Sequence, residues 1–480
     1  MQKRKIISIG IALFGMVLGA QAQDSSGQVL SLKECVEIAL KNNFDVKVSE
    51  LQAERARVSW QQARMNLLPN LNASVDHSQN KGRSIDPFTN LYSDQNNQYA
   101  NYNANSQLTL FSGLALQNAI KQNSLAYDAS NMELQQAKDN LTLQVILAYL
   151  QVLNNQDQVS VSRNQVETSR KQVERLEILD KEGAVAPSQL ADLRGTLAND
   201  ELQLINTEQT LETSKISLVQ LMNVPYDRGM KLQPLTADQM PAIYEADVEK
   251  IYQTAEAQLA QIKAVDLREK SALKGVRAAQ GRLWPTLTLY GSVTTNYSST
   301  GFTQVNLNNP ITKTTGGYVL DGTSKLDVLV DQDQFAQQKI KYVDQLKNNY
   351  YTSFGLNLQV PIFNAFRVRN QVKLAKIDYK NAQYQEQTTR IRLKQLVEQS
   401  HLNMTSSYAK YLKLVDQVKA FTESFRAAEV KFNAGVITSV DYQVTKNNLD
   451  RSTIALIVAR YDYVFRTKIL DYLQGQLTLQ

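Results

Sequence analysis

Cysteine is nearly absent: Cys35 is the single one in 480 residues. An intrachain disulfide and any thiolate metal cluster are therefore excluded. Histidine is scarce as well, and His77 and His401 lie far apart in the sequence, so no metal-binding pair is suggested. No phosphate-binding G-x-x-x-x-G-K-[ST] loop occurs. No nucleophile, base and orienting group can be assembled from the sequence, so neither a cofactor nor an enzymatic role is expected. A large excess of one charge is also missing. Lys and Arg number 52 against 46 Asp and Glu, a net +6 that falls to +3 once Lys3, Arg4 and Lys5 are set aside. That balance does not point to nucleic acid. Beyond the first residues there is no run of eighteen or more apolar side chains. If the chain enters a membrane, it does not do so as helices.

What is present begins with "MQKRKIISIGIALFGMVLGAQAQ". A basic start, an apolar run from Ile6 to Leu18 and small residues ending at Ala20-Gln21-Ala22 make an export signal over 1–22, with the mature chain beginning at Gln23. No cysteine stands immediately after the cleavage position, so a lipid anchor there is not expected.

The remainder is written twice. "LLPNL" at Leu67 is echoed by "LWPTL" at Leu283, a displacement of 216 residues, and "SLKECVEIAL" at Ser31 by "DVEKIYQTAE" at Asp247. "FSGLALQNAI" at Phe111 is echoed by "FNAFRVRNQV" at Phe363, and Gly183 by Gly435, both displaced by 252. The difference of 36 residues is an insertion in the second repeat. The first repeat spans 23–246, with helices expected over 31–66, 112–182 and 187–222. Its strands fall at about 71–79 and 101–111, and a proline-bearing connector runs over 223–246. The second spans 247–480, with helices over 247–283, 364–434 and 437–474, and strands at about 286–297 and 350–361.

Val145, Val152, Val159, Val166 and Val173 recur every seven residues, and 252 further on stand Val397, Met404, Tyr411, Val418 and Phe425. A strict heptad repeat keeps one seam against a partner helix, so these segments read as packed coiled helices. Ser31 with Glu34 fits a capping box, Ser112 and Asn364 are cap-type residues, and Thr438 with Asp441 repeats the cap pattern. Pro187 fits a first helical position. Gly183 and Gly435 interrupt the long helices where a left-handed residue lets the chain reverse.

Between the helices the period falls to two. Leu71, Ala73, Val75 and His77 oppose Asn72, Ser74 and Asp76, and "LTLYGSVTTNY" and "YYTSFGLNLQV" alternate in the same way. Such segments fit tilted membrane strands with lipid on one side and water on the other. They also fit an antiparallel sheet with one solvated face. Four strands do not close a barrel, and open edges cannot face lipid, so the membrane reading requires several copies. The long polar stretches 78–98 and 298–349 read as external loops.

The duplicated order, "LLPNL" and "LWPTL" before strands, "LTLFSG" and "LQVPIFNAF" after them, and "NAGVITSVDY" at the second reversal together resemble the TolC family of outer-membrane efflux proteins. The likeness covers nearly the whole mature chain. It implies a mostly α fold with membrane β: a duplicated helix-strand-strand-helix-helix unit. As a homotrimer, this unit would form a twelve-strand outer-membrane barrel continued by a periplasmic α-helical barrel. It implies a passive exit duct for small molecules or secreted protein, in contact with outer-membrane lipid and served by a periplasmic adaptor and an inner-membrane transporter. By the same resemblance, the reversals at Gly183, Pro187, Gly435 and Thr438 form a periplasmic tip where adaptors dock. Pro69, Phe111, Pro285, Pro361 and Phe363 mark the barrel-helix transition. Asp441 matches an acidic residue of a cation-attracting constriction, although its spacing from Thr438 fits a helix cap equally well. Phe432 and Ile437 stand where relatives carry a Tyr and an Arg latch, Gln189 where the partner is acidic, and Val444 where a second acidic ring lies. Closure through apolar contacts of Phe432 and Ile437 is the expectation. A type I secretion channel is the nearest alternative. An exported coiled-coil scaffold with a soluble β cap is an alternative of a different class.

Overall fold

The computed structural model describes residues 29–85, 90–94, 96–234, 244 and 247–476. The expected signal segment and most of the connector after 234 lie outside the described residues. The first repeat runs β1 (Val29–Leu30), α1 (Leu32–Asn42), α2 (Phe44–Met65), β2 (Asn70–Asn80), β3 (Ser84–Ile85), β4 (Tyr92–Ser93), β5 (Asn97–Phe111), α3 (Ala115–Lys181), α4 (Pro187–Met222) and β6 (Lys231–Leu232). The second runs α5 (Val248–Gln258), α6 (Ala260–Gly281), β7 (Thr286–Ser298), β8 (Phe302–Asn306), β9 (Ile311–Asp321), β10 (Ser324–Gln332), β11 (Phe335–Lys339), α7 (Tyr342–Asn348), β12 (Tyr351–Gln359), α8 (Arg367–Asn433) and α9 (Ser439–Leu473). The chain divides into two units: 1–48 with 136–259 and 393–480, and 49–135 with 260–392.

The second of these units holds a four-stranded antiparallel sheet in the order β12-β7-β5-β2. Its register sorts side chains cleanly. Leu71↔Ser106, Ala73↔Ala104, Val75↔Tyr102, Val293↔Thr352, Leu289↔Leu356 and Leu287↔Leu358 lie on one face, because directly paired residues share a side. Asn103, Asn105, Gln107, Thr288, Ser292, Thr294, Ser353 and Asn357 fall on the other. The apolar face is open: Leu71, Val75, Phe354, Leu356 and Leu358 are all mostly exposed. β2 and β12 are the outer strands, and each pairs on one side only.

The other unit is helical, apart from a parallel pair in which β1 meets β6 through Val29↔Lys231 and Leu30↔Leu232. Tyr149 fastens this pair, its hydroxyl donating to the Gln233 carbonyl at 2.7 Å. Val145, Val152, Val159, Val166 and Val173 are all buried, as are Val397 and Met404. Tyr411, Val418 and Phe425 are half-buried, so the second repeat's stripe is less covered. α3 and α8 each run 67 residues, about 100 Å at ~1.5 Å per residue.

Several boundaries differ from the sequence reading. Segment 31–66 is two helices, because Asn43 turns extended (φ −66°, ψ 128°) between α1 and α2. Its side-chain oxygen then accepts from the Asp45 amide at 2.9 Å, capping the next helix. Segment 247–283 breaks at Leu259 (φ −62°, ψ 130°), 216 residues on. Neither break carries the Gly or Pro that would announce it. Ser112 and Asn364 are not caps: helices start three residues later, at Ala115 and Arg367. Two left-handed residues intervene in each repeat, Gly113 and Leu114 in one, Ala365 and Phe366 in the other. The stretch 298–349 is not an open loop. β8 pairs with β11, β9 with β10, and α7 follows. Alternation there is interrupted by Gly316, Gly317 and a bulge at Val328, which hides the strand period.

Candidate functional site

The strand-helix junctions are built from tight turns. Pro69 and Pro285 immediately precede β2 and β7, positions where a missing N–H costs no ladder bond. Phe111 ends β5 at an irregularity between Thr109 and Phe111, and Pro361 lies two residues past β12. Phe363 is mostly exposed and meets the Phe366 ring edge-on, with centroids 5.7 Å apart. Missed from sequence was the meeting of two glycines. A Cβ on Gly113 would lie 2.2 Å from the Gly281 carbonyl, and one on Gly281 would lie 2.5 Å from the Gly113 carbonyl. The exit of β5 thus touches the approach to β7 backbone to backbone.

The two reversals share one backbone solution. The Gly183 N–H donates to Asp180 O at 3.0 Å and Ala184 N–H to Leu179 O at 2.9 Å. Gly435 donates to Phe432 O at 3.1 Å and Val436 to Lys431 O at 2.9 Å. These are Schellman bonds, and the glycines take φ of +71° and +72°. Their new helices are capped differently. Pro187 stands at the start of α4 with no side-chain cap. α9 starts with a full capping box: the Thr438 hydroxyl accepts from Asp441 N–H at 3.2 Å, and Asp441 Oδ2 accepts from Thr438 N–H at 3.3 Å. Asp441 is exposed, Gln189 half-buried.

Phe432 is buried in a cluster with Val173, Leu176, Leu190, Leu193 and Tyr442, and Ile437 packs against that cluster from its edge. Its ring stacks on Tyr442 at 4.7 Å and 23°. Within one chain, then, Phe432 and Ile437 join the α3/α4 pair to the α8/α9 pair. Tyr442 brings its hydroxyl into this cluster with no hydrogen-bond partner among the described residues, and burial pushes its pKa up.

Polar links that sequence reasoning missed reinforce the same seam. The Ser439 hydroxyl donates to Asp192 Oδ2 at 3.0 Å, and Arg175 Nη2 donates to the Asn433 carbonyl at 3.0 Å. Deeper lies a buried ionic group. Lys446 Nζ, only 3% exposed, meets Asp200 Oδ2 at 2.9 Å and Asp450 Oδ2 at 2.7 Å. Ser169 donates to the same Asp200 oxygen at 2.5 Å. Burial works to lower the Lys446 pKa, but Asp450 and Asp200 outweigh it and hold the ammonium above its ordinary value. Burial raises Asp450, against the pull of Lys446. The available signal was the separation of Lys446 from Asp450 by one helical turn; nothing in the sequence pairs either with Asp200.

A profile of the outer membrane efflux protein family matches residues 35–224 and again 251–475, one match per repeat. The chain belongs to that family. Among curated relatives of this outer membrane efflux protein, TolC of Salmonella enteritidis is 24% identical over 490 residues, covering all of this chain and 88% of that protein. OpmQ of Pseudomonas putida, a pyoverdine export outer membrane protein, is 24% identical over 266 residues, 54% of this chain and 55% of that protein. The Campylobacter jejuni CmeC outer membrane channel superposes with TM-score 0.74 at 16% identity, covering 99% of this chain and 94% of that one. VceC of Vibrio cholerae gives 0.73 at 16% identity, covering 92% and 96%. The fold is therefore the barrel-and-helical-tunnel fold of these channels, and the protein is an outer-membrane efflux duct. No described helix is long and apolar enough to cross a membrane. The four-stranded sheet has one exposed apolar face and one face of Asn, Ser and Thr.

Proposed function

We propose that the protein works as a homotrimer, three four-stranded sheets closing one twelve-strand barrel. It serves as the passive exit of a tripartite pump. The observation that supports this is the sheet itself. β2 and β12 each leave one edge unpaired beside an apolar, lipid-facing surface. Unpaired backbone groups in hydrocarbon cost several kcal/mol apiece, so the edges must pair with other copies. An energised inner-membrane transporter and a periplasmic adaptor would deliver cargo to the reversals, and the protein would perform no chemical step. The test is a cysteine pair, Ser74→Cys on β2 and Ser353→Cys on β12, in a Cys35→Ser background. Oxidation should yield covalent trimers. Monomers alone would overturn the reading.

Asp441 would serve both as cap and as gate. Its Oδ2 is engaged by Thr438 while the residue remains exposed. Three copies about one axis would gather like charges that cations stabilise. Asp441→Asn is expected to weaken divalent-cation block of single-channel conductance several-fold. Unaltered block would leave Asp441 only a cap.

A further inference from the structure

The insertion of the second repeat ends in α7, and α7 lies on the lipid-facing side of the sheet. Tyr342 fixes this. Its ring packs 4.4 Å from that of Tyr297, and its hydroxyl is 2.6 Å from that of Tyr102. Tyr102 pairs with Thr295, and Tyr297 with Ala100, positions that alternate with the polar row and share the side of Val75 and Val293. Thr295, on the same side, donates to the Leu346 carbonyl at 2.6 Å. The helix is also tied to the strand backbone. Gln345, 2% exposed, accepts from Ser298 N–H at 2.9 Å and donates to Ser298 O at 2.9 Å and Ile340 O at 3.0 Å. Asn349 donates to Asn296 O at 2.9 Å. All these contacts lie at the end of β7 remote from α6, the exterior end. A seven-residue helix has little stability of its own in water, so these bonds set its place.

What this short, clamped helix and its flanks leave exposed is specific in kind. Lys339, Lys341 and Lys347 are exposed, with no ion-pair partner among the described residues, and Asp344 is the one carboxylate on the helix. Beside them stand exposed Val343 and Tyr350. Tyrosines flanked by lysines at the rim of an apolar band are the composition of a membrane-water boundary. We propose that α7 and its flanks form a docking surface for the phosphate-bearing headgroups of the outer leaflet. The apolar face below holds the acyl chains and the three ammonium groups hold the anion above. This rests on the sheet's apolar face meeting lipid.

The full-length protein, reconstituted in phosphatidylcholine vesicles, would be probed by electron spin resonance with chain-labelled phosphatidylglycerol and phosphatidylcholine. Near a surface each lysine contributes enough to change anion association several-fold. The wild type should therefore restrict phosphatidylglycerol about three- to fivefold more strongly than phosphatidylcholine, with the preference shrinking in high salt. The K339Q/K341Q/K347Q variant should restrict both equally, whereas K313Q/K325Q in the β9–β10 hairpin should keep the preference. Equal restriction in the wild type, an unchanged preference in the triple variant, or its abolition by 20 mM inorganic phosphate would overturn the proposal. Disappearance of all restricted lipid would instead overturn the membrane placement of the sheet.

Discussion

At the scale of single residues the protein invests buried charge in the seam that joins its two repeats. Removing Lys446 would strand Asp200 and Asp450 in a low-dielectric site, which typically costs about 3–5 kcal/mol. Lys446→Met should accelerate hydrogen exchange in the first turns of α9 at least 30-fold. Asp450→Asn should leave exchange there unchanged or slower, because it removes one of the two carboxylates beside Lys446 and keeps the Lys446–Asp200 pair. Equal acceleration in both would dismiss the ionic account. The sign for pH follows from Lys446. Its raised pKa stabilises the seam fully below the unfolded value near 10.5 and is lost as pH climbs through the folded value. Cys35 gives a second titration. Burial chiefly, and then the Glu34 charge, push its thiol up to about 12. Iodoacetamide at pH 8 should leave the native protein unmodified and label it fully in denaturant, whereas rapid native labelling would contradict the buried placement.

At the scale of elements, turn geometry matters more than cap chemistry. Gly183 and Gly435 take the left-handed conformation at no steric cost, with open space around a would-be Cβ. Gly435→Ala should therefore cost only the conformational penalty, about 1 kcal/mol, read as a fall in thermal midpoint. Ala365 occupies the same region of φ at +51° without glycine's freedom. Ala365→Gly should raise stability by a few tenths to about 1 kcal/mol, an opposite sign that a purely entropic account of glycine would not produce. The sequence revealed the glycine reversals because each interrupts a heptad run. It did not reveal Asn43 and Leu259, since an amphipathic period continues across both and only a shift to extended ψ marks the break. Nor did it reveal the Gly113-Gly281 approach, a contact between segments 168 residues apart.

At the scale of the whole molecule, the β9–β10 hairpin within the 36-residue insertion pairs with no strand of the four-stranded sheet. β9 and β10 pair only with each other. Deleting Ile311–Gln332 and closing the gap with a short glycine-serine turn should leave oligomer heat resistance and single-channel conductance within error of the wild type. A collapse of either would mean that the hairpin supports the barrel. An isolated two-stranded hairpin is marginal in water, so protease should also cut it first.

What the sequence by itself determined was the architecture: period-seven helices, period-two strands and a duplicated order whose apolar and polar rows leave few other folds. Local rules suffice there, because periodicity is a property of neighbouring residues. Only the tertiary structure decided which long-range partners meet. Asp200 reaches Lys446 across 246 residues and Phe432 buries itself against Leu193. α7 clamps to Ser298 from the far end of an insertion. Such pairings depend on the relative phase of helices and strands far apart in the chain, which no single stretch of sequence encodes.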